Sequence, residues 1–253
     1  MSKRQMIVAG NWKMNTDYDS GRALASAIVE GLQPSETIVI LGVPFTHLKG
    51  VYHCIADVKN LHLAAQNCHA AEAGAYTGEI SVPMLQSVGC EYVIVGHSER
   101  REYFHESDAE IAAKVKQVLA HGLRPIFCCG ERLEIREAGT HEEVVGTQLT
   151  QGLFGLSAED FAQVLIAYEP VWAIGTGKTA SPEQAQDMHA FIRRHIASRY
   201  QEDLAQATSI LYGGSVKPAN AQALFSQPDV DGGLVGGASL QAMDFLQIIA
   251  AAS

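Results

Sequence analysis

The sequence predicts an α/β fold, a (β/α)8 barrel spanning residues 1–253 as one domain, and three observations point there. The chain has 253 residues, close to the roughly 250 typical of one such barrel. Eight short apolar runs recur along it, and stretches with helix-start and helix-stop signals lie between them. Periodicity does not separate a closed barrel from a doubly wound open sheet, because both are built of βα repeats. The eightfold alternation, with no linker rich in Pro, Gly or Ser, fits the barrel.

In chain order the expected strands are Met6–Ala9, Ile38–Leu41, Leu61–Ala64, Tyr92–Val95, Pro125–Cys128, Val164–Ala167, Ser209–Tyr212 and Leu234–Val235. Most lack polar alternation, as expected of parallel strands covered on both faces. Between the fourth and fifth, Ser107-Asp108-Ala109-Glu110 forms a capping box that opens a helix through Ile111, Val115, Val118 and Leu119, and Gly122 closes it. Between the sixth and seventh, Ser181 is the N-cap of another helix, with Pro182 at its first position and Gln184 as the reciprocal partner.

Composition narrows the function classes. A 47% hydrophobic and 18% charged chain is an ordinary globular one. Its formal charge of −10 repels nucleic acid and anionic membranes, so neither is an expected partner, and a small anionic ligand needs a local positive site. The first apolar run, Met6 to Ala9, is too short for a signal peptide or a spanning helix, which makes a cytoplasmic location the expectation. Cys54, Cys68, Cys90, Cys128 and Cys129 are odd in number and lack CxxC spacing, so they read as reduced, mostly buried residues rather than a disulfide or zinc framework.

In a barrel, chemistry belongs at the C-terminal ends of the strands. Lys13 stands after the first strand in Gly10-Asn11-Trp12-Lys13. Most lysines in such surroundings are surface side chains, but at a strand end in an acidic chain this one can hold an anion, and it reads as the only basic residue at the site. Glu169 ends the sixth strand, where desolvation would raise its pKa toward that of a useful base. His97 follows the fourth strand. A lone histidine is more often structural, yet a neutral imidazole there would complement a carboxylate base by donating to a substrate oxygen. Gly213-Gly214-Ser215 and Gly236-Gly237 end the last two strands, where barrels commonly offer backbone N–H groups to a phosphate. Residues 170–180, mixing Ala173 and Ile174 with glycines and polar residues, read as a lid. Gly175-Thr176-Gly177-Lys178-Thr179 is not a P-loop, because Trp172 stands where the first glycine is required.

With GNWKMN (10–15), AQN (65–67), GAYTGE (74–79), VGHSER (95–100), YEPVWAIGTGKTA (168–180), YGGSV (212–216) and GGASL (236–240), the chain resembles the triosephosphate isomerase family over nearly its whole length. The resemblance implies interconversion of dihydroxyacetone phosphate and D-glyceraldehyde 3-phosphate through an enediolate, a step of glycolysis and gluconeogenesis, with no cofactor and no metal. It implies that Glu169 is the base, that His97 polarises the carbonyl, that Lys13 binds electrostatically and that Asn11 orients the substrate. It further implies that Glu99 supports Lys13, that N–H groups of Gly175, Ser215, Gly236 and Gly237 hold the phosphate, and that Thr77 reaches the partner's site in a homodimer. The alternatives are another phosphosugar-acting barrel enzyme and a non-catalytic phosphate-binding scaffold. A Schiff-base aldolase would need a further lysine, and no metal-ligand spacing stands out.

Overall fold

In a computed structural model that describes residues 4–174 and 179–253, eight parallel strands close into a barrel in sequential order. They are β1 (Ile7–Asn11), β2 (Ile38–Val43), β3 (Leu61–Ala65), β4 (Tyr92–Val95), β5 (Arg124–Glu131), β6 (Leu165–Pro170), β7 (Ile210–Tyr212) and β8 (Gly232–Val235). The ring is completed by β1 pairing with β8, with Ile7 opposite Gly232. Closure leaves no free sheet edge and decides between the barrel and the open sheet.

The near-continuous apolar strands are explained by two cores. One fills the barrel interior, with Ile7, Ile40, Ile94, Ile126, Leu165 and Leu211 among its members. The other lies between the strands and the helices and includes Val8, Val39, Val93, Phe127 and Ile166. Adjacent residues of one strand therefore serve opposite faces, and both faces are dry. Both expected capping boxes form: Ser107 and Glu110 cap the helix Asp108–Ala120, and Ser181 and Gln184 cap the helix Pro182–Arg199.

The structure extends several expected strands at their C-terminal ends. β5 runs on to Glu131 and β6 to Pro170, with Gly130 opposite Glu169, so Glu169 lies within a strand rather than just beyond one. β8 instead starts earlier, at Gly232. Two glycines carry little strand signal, yet Gly232 sits at φ +113, and a Cβ there would come 1.9 Å from the Ile7 carbonyl oxygen. Four of the five cysteines are buried, Cys54 is half-buried, and all are free thiols.

A buried ionic knot ties the helix Pro182–Arg199 to the start of β8. Arg193, 3% exposed, donates from Nε to Asp229 at 2.6 Å, from Nη2 to Asp231 at 2.8 Å, and from Nη1 to the carbonyls of Ala205 and Thr208 at 2.7 and 2.9 Å. Asp231 also accepts from Arg4 Nε at 2.6 Å and from the Ile210 N–H at 2.9 Å. Arg193→Met removes one partner and leaves buried acceptors uncompensated, so chemical denaturation is expected to show a loss of about 3 kcal/mol or more. A loss within experimental error would remove the knot from the account of stability.

Candidate active site

The C-terminal ends of β1, β4, β7 and β8 bring Asn11, Lys13, His97, Ser215, Gly236 and Gly237 around one cavity of about 550 Å3, with Glu169 of β6 beside His97. Asn11 closes β1, and its Oδ1 accepts the Lys13 N–H at 3.0 Å. That bond helps to hold Lys13 at φ +55, a left-handed conformation that costs a non-glycine residue on the order of 1 kcal/mol. Gln66 adds a second restraint, its Nε2 donating to the Lys13 carbonyl at 2.9 Å and to the Gly42 carbonyl at 3.0 Å. Lys13 Nζ reaches Glu99 Oε1 at 2.5 Å. Lys13 is thus a positioned cation, not a free surface lysine.

His97 follows β4 across Gly96, which sits at φ +71, and caps the short helix Ser98–Tyr103. Its Nδ1 accepts the Glu99 N–H at 3.2 Å, so the ring's own proton resides on Nε2. Nε2 lies 2.9 Å from Glu169 Oε1.

Glu169 is 1% exposed. Besides His97, its carboxylate accepts the Ser98 N–H at 2.9 Å and the Ser98 hydroxyl at 3.1 Å. Burial is the largest influence on its pKa and acts upward. The charge and hydrogen bond of His97, with the two bonds from Ser98, outweigh burial, and the net direction is downward from the ordinary carboxylate value. This corrects the expectation that desolvation alone would leave Glu169 raised: its partners stabilise the anion. For His97 burial is again largest and acts downward, but Glu169, and more weakly Glu99, carry the net direction upward. The N–H aimed into Nδ1 opposes that upward pull, since a doubly protonated ring must give the bond up. Most of the upward pull therefore comes from the Glu169 carboxylate and is lost if it leaves.

The cavity is lined by Asn11, Lys13, His97, Ile174, Ser215, Gly236 and Gly237, among others. A Cβ on Gly237 would meet nothing within 4 Å. Gly237 opens the short 3-10 turn Gly237–Leu240, whose first N–H groups lack intrahelical acceptors. Gly213 is packed instead: a Cβ would stand 2.9 Å from Glu169 Cγ. Glu169 itself does not line the cavity in this conformation. Gly175 lies outside the described residues, as do residues 176–178 in the middle of the 170–180 segment. Thr77 is exposed in the loop after β3 and does not reach the cavity of its own chain.

Four residues at the site escaped the sequence reading. Lys217 lines the cavity, so Lys13 is not its only basic residue, and Asp244 lines it too. Ser98, visible in VGHSER, holds the carboxylate. Cys128, read only as a reduced, buried residue, lies against Glu169, and burial first and then that carboxylate push its thiol well above the ordinary value. A strand cysteine gives no spacing signal for such a contact, which depends on β5 adjoining β6.

A family model described as triosephosphate isomerase matches residues 6–252. Among curated relatives, a protein of Porphyromonas gingivalis named triosephosphate isomerase is 55% identical over 251 residues, covering 98% of this chain and 99% of the relative. Relatives of the same name from Cytophaga hutchinsonii and Phocaeicola vulgatus are 53% and 55% identical, each covering 97% of this chain and 98% of their own length. With that extent of match over the chain that carries the barrel and its cavity, the protein belongs to the triosephosphate isomerase family.

Proposed function

We propose that the protein interconverts dihydroxyacetone phosphate and D-glyceraldehyde 3-phosphate, moving a proton between adjacent carbons through an enediolate. The observation that carries this reading is the Glu169–His97 contact at 2.9 Å beside a cavity that also presents Lys13. A carboxylate, an imidazole and a fixed cation at one cavity supply a base, a hydrogen-bond donor and a counter-charge.

In this reading Glu169 leaves Ser98, turns into the cavity and takes the proton from one carbon, then returns it to the next. The absence of a side chain at Gly213 leaves room at Glu169 Cγ for that turn. Departure of the carboxylate frees Nε2–H of His97 to donate to the carbonyl oxygen, and it also removes the group that raises the His97 pKa. The imidazole is then neutral, the state that the handover of protons between two oxygens requires, and in enzymes of this class a helix N-terminus favours that neutral ring. Lys13, held by Glu99, stabilises negative charge on the enediolate, and Asn11 orients the oxygens. N–H groups of Ser215, Gly236 and Gly237, with Gly175, hold the phosphate, and Lys217 adds a second positive charge at the cavity.

Residues 170–180 act as a lid that keeps water from the enediolate and restrains loss of phosphate. Its described base is anchored, with Trp172 Nε1 and the Tyr168 hydroxyl both donating to Glu131 Oε1, at 2.9 and 3.0 Å. The protein works as a homodimer in the cytoplasm, each protomer lending the loop around Thr77 to its partner's site.

Two outcomes test this reading. Glu169→Gln is expected to lower kcat by roughly a thousandfold while leaving inhibition by inorganic phosphate nearly unchanged; near-normal turnover would take Glu169 out of its role. Extensive dialysis against a chelator should leave triose phosphate interconversion intact, and loss of activity reversed by added metal would point to a different barrel chemistry.

A further inference from the structure

Past Phe127, β5 loses its neighbour on one side. β4 ends at Val95, opposite Phe127, while β5 continues to Glu131 paired with β6 alone. In a parallel sheet the N–H and C=O of one residue point to the same side, so Cys128 and Gly130, which share a parity, present polar groups where β4 has stopped. Side chains take the missing strand's place. Arg101 Nη2 donates to the Cys128 carbonyl at 3.1 Å. The Gln148 amide takes both groups of Gly130, its Oε1 accepting the N–H at 2.8 Å and its Nε2 donating to the carbonyl at 3.0 Å.

Gly130 is the residue opposite Glu169. Contact between the two backbones is so close that a Cβ on Gly130 would fall 1.8 Å from the Glu169 carbonyl oxygen. The next residue, Glu131, receives the hydroxyl of Tyr168 and the indole of Trp172, on either side of Glu169. A two-point amide clamp on Gly130 therefore fixes the strand end against which the backbone of Glu169 rests. Gln148 supplies it from the helix His141–Leu153, outside the barrel and away from the cavity.

We propose that Gln148 is a positioning residue for Glu169, acting through the backbone of Gly130; this rests on the isomerase reading of the site. Gln148 touches no substrate. Its two hydrogen bonds set where the carboxylate starts and ends its turn, and small displacements of a reacting group are costly in rate.

The test is steady-state kinetics of the full-length protein and two variants, with inorganic phosphate as competitive inhibitor. Gln148→Met keeps the length of the side chain and removes both bonds. It is expected to lower kcat about tenfold or more, with KM and phosphate inhibition within about twofold of wild type. Gln148→Glu, which can still accept the Gly130 N–H but as a carboxylate cannot donate to its carbonyl, should fall between the two. It carries the same test should the Met variant not fold. A kcat within about twofold of wild type in the folded variants, or a loss of kcat matched by an equal loss of phosphate inhibition, would overturn the assignment. An inactive wild type would instead overturn the isomerase reading itself.

Discussion

Everything at this site turns on a carboxylate taken out of water. Glu169 is nearly wholly buried, a position an isolated anion could not hold. Three donors compensate it: the Ser98 N–H, the Ser98 hydroxyl and the His97 Nε2–H. All three come from two consecutive residues, His97 and Ser98, at the start of the short helix that follows β4. The same bonds hold the carboxylate away from the cavity. Its contact with His97 also raises the proton affinity of the imidazole. One cluster thus stabilises the anion and couples the protonation of Glu169 to that of His97.

The barrel makes this arrangement achievable. β4 and β6 both flank β5, so residues far apart in sequence share one rim. Close spacing at that rim demands glycine at Gly130 and Gly213, where any side chain would strike the backbone or side chain of Glu169. On the far side of the cavity a glycine pair after β8 leaves open space beside Lys13. The acidic chain concentrates positive charge there, with Lys13 fixed by Asn11, Gln66 and Glu99 and joined by Lys217. Anion binding then needs no basic surface overall.

How much of this could be read in the sequence follows from range. The eight strands and both capping boxes were legible because strand pattern and caps are encoded within a few residues. Glu169, His97 and Lys13 stood out because they interrupt the chain just where apolar runs stop. The extensions of β5 and β6 were not legible, since Gly130, Glu131 and Glu169 are poor strand residues held extended by their neighbours. The direction of the Glu169 shift was read wrongly for a similar reason: burial was inferable from the apolar run, but the compensating donors come from β4, which the sequence does not place beside it. Lys217 stands beyond the Gly-Gly-Ser end of β7 with no motif to mark it, and only the return of the chain after β7 brings it to the cavity.

The most direct test of the coupling between base and imidazole is the titration of His97 followed by NMR of its ring nitrogens, in the wild-type protein and in Glu169→Gln. A pKa above the ordinary histidine value is expected in the wild type, where the carboxylate faces the ring. In the variant, burial and the Glu99 N–H are opposed only by the weaker pull of the Glu99 carboxylate, and the pKa should fall below the ordinary value, leaving the ring neutral at pH 7. Equal pKa values in the two proteins would contradict the account, because the parked carboxylate would then have no hold on the proton of His97.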